Sequence, residues 1–296
     1  MSIKSSMTRA GVLAGLLLMP VGSAAAQSAA LDSLTAAERA VVEASARDGF
    51  VAAITGALTR DGTILWPGAP VVAGQDPVRR LLSAQKTLEA VRITWQPLGT
   101  ELASDGSLGV TWGVAVAVSG SGAARLGRYI AAWRRDGAAW RLAAFVPIGL
   151  IPSAAVVLSH EFAALRHAPL EADGPAALFI SADLAFARLA GDSGAALAFE
   201  RFAAPDAVTI GGGPLNRGPA AIGRALSGGP PSQWTWHPVL AGAAASGDLG
   251  FTIGESVIRP EGSPASYGKY LTIWRRLPTG EARFVTDGGT ARPATP

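Results

Sequence analysis

The chain has 296 residues, a length that suits two domains of ordinary size. Hydrophobic residues make up 49% and charged residues 16%, which excludes the disordered class and leaves a globular one. The formal charge is +3 without any Lys/Arg cluster, and cysteine is absent, so nucleic-acid tracking and thiolate chemistry are both excluded.

The first 26 residues read as a signal peptide. Lys4 and Arg9 precede a short apolar run from Ala10 to Val21, and Ala24-Ala25-Ala26 before Gln27 gives an A-x-A cleavage pattern after Ala26. A periplasmic or secreted protein follows, with no membrane partner once cleaved. No later segment reaches the ~18 apolar residues of a spanning helix. Cleavage takes two cations and no acid, leaving 23 basic residues against 22 acidic ones.

Thr35-Ala36-Ala37-Glu38 has capping-box spacing, which predicts a helix start there. Asp48-Gly49 should break it before a second helix through Leu58. An extended piece, Thr63 to Trp66, and a small helix containing Arg80 follow, and the rest alternates with period two as strands. Pro152 to Ala168 reads as helical and Pro169 to Pro175 as a linker. The pattern then recurs. A helix is expected near Asp183 to Leu189, with a break at Gly191-Asp192 and a second helix through Phe202. Ala207 to Ile210 is extended, and Arg224 lies on a small helix.

The recurrence is a repeat. Trp95-Gln96-Pro97-Leu98 returns as Trp236-His237-Pro238-Val239. Leu108-Gly109-Val110-Thr111-Trp112-Gly113 returns as Leu249-Gly250-Phe251-Thr252-Ile253-Gly254. Gly127-Arg128-Tyr129 with Trp133-Arg134-Arg135 returns as Gly268-Lys269-Tyr270 with Trp274-Arg275-Arg276. All three blocks share one offset, and helices followed by a strand meander indicate an α+β fold. The expected domains are 33–149 and 177–290, joined by a helical connection and linker over 150–176.

The second copy resembles the nuclear transport factor 2-like superfamily in its SnoaL-like and ketosteroid-isomerase-like branches. The residues that carry the likeness are Gly191-Asp192, Asp206-Ala-Val, Trp236-x-Pro238, Gly247-Asp248-Leu249-Gly250-x-Thr252-x-Gly254, Gly268-Lys269-Tyr270-x-x-x-Trp274-Arg275 and Phe284-Val285-x-Asp287. The first copy carries it more loosely. The resemblance implies two cone-shaped domains, each a curved, mostly antiparallel sheet wrapped around N-terminal helices. It also implies pairing through the sheets, either between the two copies as an intramolecular pseudo-dimer or in a homodimer. It does not imply one activity.

Chemical candidates come from contrasts between the copies. Glu255 takes the place of Val114 in the row Phe251, Ile253, Glu255, Val257, where alternate residues share a face and desolvation would raise a carboxylate's pKa. His237 takes the place of Gln96 and is a candidate base or orienting group. Asp287 closes the last strand where the superfamily often carries an acid at its pocket mouth; the alternative is a turn residue before Gly288-Gly289. Glu255 has a competing structural role at the sheet edge beside Arg259, and His237 one as a surface histidine. Trp234, Phe251, Ile253 and Tyr270 are expected to wall a ligand site, although Tyr129/Tyr270 and Trp133/Trp274 occur in both copies, which favours packing. Arg128/Lys269 are expected on a solvated strand face.

Neither a cofactor nor a metal is expected. His160 and His167 are seven residues apart, about 10.5 Å along a helix, and no H-E-x-x-H occurs. Gly191-Asp192-Ser193-Gly194 lacks any protease context, and the run from Gly211 to Gly229 lacks a phosphate-loop ending. The expected role is binding of a small apolar ligand in the second domain without catalysis. The alternative is a cofactor-free lyase or isomerase using Glu255, His237 and Asp287.

Overall fold

The computed structural model describes residues 21–150 and 174–294. The expected signal-peptide residues 1–20 and the helical connection from Pro152 lie outside the described residues. Helix α1 (Val21–Asp48) is one long element, and the expected cleavage point falls within it. Its residues 25–29 are exposed, and among the described side chains the first buried one is Leu34. The capping box does not start a helix. Thr35 lies inside α1, its hydroxyl donating to the Leu31 carbonyl at 3.0 Å, and Glu38 turns into the core. At Gly49 the backbone adopts a φ of 89°, open to glycine and rarely to other residues, and α2 (Phe50–Ala57) follows.

The first sheet contains β1 (Leu58–Ile64), β2 (Val72–Ala73), β3 (Val91–Leu102), β4 (Leu108–Ser119), β5 (Ala124–Asp136) and β6 (Ala139–Ile148). Its order is β2-β1-β6-β5-β4-β3. The neighbouring strands are antiparallel except β1 and β6, which run parallel. Helix α3 (Gln75–Ser83) and a 3-10 turn (Lys86–Ala90) lie between β2 and β3.

The second copy repeats this plan. Helix α4 (Ala177–Ser193) is longer than its expected core and runs through Gly191-Asp192. Its break falls at Gly194, again with a φ of 89°, before α5 (Ala195–Phe202). The strands are β7 (Ala203–Ile210), β8 (Asn216–Arg217), β9 (Ser232–Ala243), β10 (Leu249–Pro260), β11 (Ser266–Arg276) and β12 (Ala282–Ala291), with α6 (Pro219–Ser227) between β8 and β9. The order β8-β7-β12-β11-β10-β9 matches the first sheet. This is the two-cone α+β arrangement.

The central strands of each sheet are buried on both faces over much of their length, for different reasons. On the inner face of β10, a Cβ on Gly250 would stand 2.3 Å from the Phe179 ring of α4, and one on Gly254 would stand 2.1 Å from the Tyr270 hydroxyl. Glycine is required at both points because helix and tyrosine pack directly on the strand. Thr252 lies between them and accepts from Trp274 Nε1 at 2.8 Å. On the outer face Phe251, Ile253, Leu271 and Ile273 form one apolar cluster with Val110, Trp112, Ile130, Val146 and Ile148 of the first copy. Full burial of such side chains is worth roughly 1.5–3 kcal/mol each.

Several polar contacts between the copies come in matched pairs. Ser104 N donates to Asp248 at 2.9 Å and Ser246 N to Asp105 at 2.8 Å. Arg128 donates to the Gly211 and Gly213 carbonyls at 2.9 and 2.6 Å. Lys269 donates to those of Trp66 and Ala69 at 2.8 and 2.7 Å. Lys269 is only 1% exposed, which corrects its expected place on a solvated face: the strand's outer face is covered by the other copy.

Candidate functional site

The interior of the second cone is built around Asp183 of α4, which is completely buried. Trp236 Nε1 donates to it at 3.0 Å, and the Tyr270 hydroxyl lies 3.1 Å from both carboxylate oxygens. Burial pushes its pKa up to about 6, against the opposing pull of the Thr252, Tyr270 and Trp236 hydrogen bonds. Tyr270 is itself raised well above 10, first by burial and then by the charge on Asp183, so its hydroxyl keeps its proton.

Asp287, on β12, pairs across the sheet with Thr272 and accepts from that hydroxyl at 2.6 Å. Burial pushes it up to about 7, with Thr272 opposing and the charge of Asp183 adding to the rise. Asp287 is half-buried and lines a cavity of about 370 Å³. Phe186, Phe199, Trp234 and Trp236 are the cavity's large apolar lining residues, and Tyr270, Thr272, Asp287, Lys269, Ser256 and Thr290 are among its polar ones. Asp183 stands behind Tyr270 and Trp236 rather than on the surface of the cavity. Among the described residues neither aspartate has a Lys or Arg ion-pair partner.

Of the three acid–base candidates, only Asp287 enters this cavity. His237 alternates away from Trp236 and is exposed. Glu255 faces it across the β9–β10 ladder on the same outer side and pairs with Arg292 at 3.4 Å. Phe251 and Ile253 are likewise on the outer face, in the cluster between the copies. Trp234 and Tyr270 do line the cavity. The apolar row on β10 is apolar because a second sheet covers it, so Glu255, which follows that row, was carried with it to the wrong side.

Asp183 is the residue that strand parity could not reveal. A signal was present: Glu38 and Asp183 each stand eleven residues before the positive-φ glycine that ends their helix. Glu38 is also buried, accepting from Thr111 at 2.9 Å, and Thr111 accepts from Trp133 Nε1 at 3.0 Å. Burial raises the Glu38 pKa despite hydrogen bonds from Tyr129, Thr111 and Trp95.

The copies differ in what fills the cone. In the first, Phe50, Trp66, Trp95, Tyr129 and Phe145 pack ring on ring, with centroids such as 5.8 Å for Phe50–Trp66 and 6.0 Å for Tyr129–Phe145. Counting from the shared glycine break, Ala195 stands at the place of Phe50 and Gly211 at that of Trp66. Phe145 pairs with Ala131 and Ile64, whereas Asp287 pairs with Thr272 and Thr209. Three plugging rings are thus an alanine, a glycine and the cavity carboxylate in the second copy. A wider cleft of about 1020 Å³ on the first copy, beside the end of α1, is lined by charged groups such as Asp48 and Arg79 that are all exposed.

Fold and interior together define an α+β cone with a carboxylate-bearing apolar cavity. No family model and no curated protein matches the chain. Solved structures similar to it include a nuclear transport factor 2-like protein with a cystatin-like fold from Novosphingobium aromaticivorans, at 21% identity over 38% of this chain and 79% of that one, with a TM-score of 0.33. A ketosteroid isomerase-like protein from Erwinia carotovora is 18% identical over 45% of this chain and 100% of its own, with a TM-score of 0.31. A nuclear transport factor 2-like protein of unknown function from Pseudomonas putida is 15% identical over 37% and 81%, also at 0.31. Likenesses this distant carry no activity across. No described helix is long and apolar enough to cross a membrane.

Proposed function

We propose that the second copy is a cofactor-free proton-transfer site, a lyase or isomerase acting on a small, mostly apolar substrate, with Asp287 as its acid–base group. The observation that carries this is that Asp287 lines a cavity walled by Phe186, Phe199, Trp234 and Trp236; burial pushes its pKa up to about 7, where a group exchanges protons most usefully. Asp183 holds Tyr270 and Trp236 in place and keeps negative charge close to Asp287. The phenol stays protonated, and Thr272 fixes the carboxyl rotamer. The chain is an exported protein in this proposal, and its two copies form an intramolecular pseudo-dimer with the first copy as scaffold.

The test is solvent exchange. With small cyclic ketones in heavy water, the wild type should speed deuterium incorporation next to the carbonyl by about 100-fold over Asp287→Asn. Equal rates for the two proteins across the panel would refute it. A second reading, binding without catalysis, is favoured by one fact: among the described residues Asp287 is the single acidic residue lining the cavity. That reading predicts saturable binding of a ligand such as 2-naphthol with no exchange.

A further inference from the structure

The strand ends that wall the cavity on one side are fastened to the first copy on the other. Gly268, Lys269, Tyr270 and Asp287 to Ala291 line the cavity, so the exchange measurement below, rather than ligand affinity, separates a buttress from a direct contact. On the reverse face, a Cβ at Gly288 would stand 2.8 and 3.0 Å from the Ile148 and Ile130 methyls of the first copy. The Ala291 carbonyl accepts from Gly68 N of the first copy at 2.8 Å and from Lys269 Nζ at 2.8 Å. The ammonium of Lys269 also holds the Trp66 and Ala69 carbonyls. One buried cation therefore joins a loop of the first copy to the rim of the cavity, and all three of its donors are used.

The loop it grips is fixed from below. Trp66 is completely buried against Phe50 in the ring cluster that fills the first cone. The corresponding clasp is built differently: Arg128 grips carbonyls of Gly211 and Gly213, a stretch with no side chain anchored in its own cone. The filled cone thus supplies a rigid anchor to the open one, and the reverse link is to glycine.

We propose that the first copy acts as a fixed buttress for the cavity of the second, and that Lys269 is the positioning residue through which the Trp66–Ala69 loop holds the Asp287–Ala291 strand end in place. The proposal rests on the cavity described under Proposed function being the working site. It gives the plug of the first cone a use: a cone filled by rings cannot bind, but it can hold a loop still.

Lys269→Met removes the clasp, and Arg128→Met removes its counterpart as a control for general loosening between the copies. Binding of 2-naphthol, a neutral aromatic with one hydroxyl donor, should weaken about tenfold in Lys269→Met and stay at the wild-type value in Arg128→Met. Amide hydrogen exchange over Asp287–Ala291, which needs no ligand, should quicken in the first variant alone. Wild-type affinity and exchange in Lys269→Met, or equal changes in both variants, would overturn the proposal. If Lys269→Met fails to fold, Trp66→Phe loosens the same loop without stranding carbonyls, and it should quicken the same exchange; no change there would equally overturn the proposal. If 2-naphthol does not bind even the wild type, the cavity reading fails and the exchange comparison still decides the buttress.

Discussion

Replacing Asp287 by asparagine should stabilise the protein at alkaline pH and do little at acid pH. An unfolded aspartate releases its proton near 3.8, whereas the native Asp287 holds it up to about 7. Between those values the native state binds a proton that the unfolded chain has lost, so stability declines as pH rises through the interval and levels off above it. At about 1.4 kcal/mol for each tenfold change in proton affinity, the ionised carboxyl costs the native state roughly 4 kcal/mol above pH 7. Asparagine keeps an acceptor for the Thr272 hydroxyl, which lies 2.6 Å from the carboxylate, and carries no charge to desolvate. Urea unfolding of the two proteins from pH 4 to 9 should therefore show curves that coincide near pH 4 and separate by a few kcal/mol by pH 8. A gap that stays constant across the range would refute the reasoning, because the cost would then not lie in the proton.

Three further outcomes follow from the same geometry. Asp183→Ala leaves the Trp236 and Tyr270 donors buried without an acceptor and should cost about 3 kcal/mol in thermal unfolding, with Asp183→Asn costing less. Asp287→Phe copies Phe145 into the second cone; it should abolish 2-naphthol binding, read by fluorescence, while the circular dichroism spectrum stays that of the wild type. His237→Ala should change stability by less than about 0.5 kcal/mol and leave binding untouched, since the side chain is exposed on the far face of β9.

Most of the fold was legible because a repeat doubles every signal. Trp133/Trp274, Tyr129/Tyr270 and the glycine-flanked β4/β10 blocks align the two copies with each other. Helix boundaries were less legible: Thr35 imitates a cap from within α1, and α4 runs on past Gly191 to Gly194. The site was half legible. Asp287, Trp234 and Tyr270 face the cavity, but alternation assigns residues to two faces without saying which is the inside. In β10 the larger apolar side chains face the partner sheet, and the inner face is marked by Gly250 and Gly254, where α4 and Tyr270 need room. Asp183 went unseen because a single acid in an alanine-rich helix resembles an exposed one until Glu38 is laid beside it.

The proton affinity of Asp287 is the point on which the proposed chemistry stands. Carbon-13 carboxyl resonances of aspartate-labelled protein, assigned by their loss in Asp287→Asn, measure it directly. A carboxyl titrating near pH 7, with its curve displaced in Asp183→Asn, is the predicted result. Titration below pH 5 with no dependence on Asp183 would contradict it.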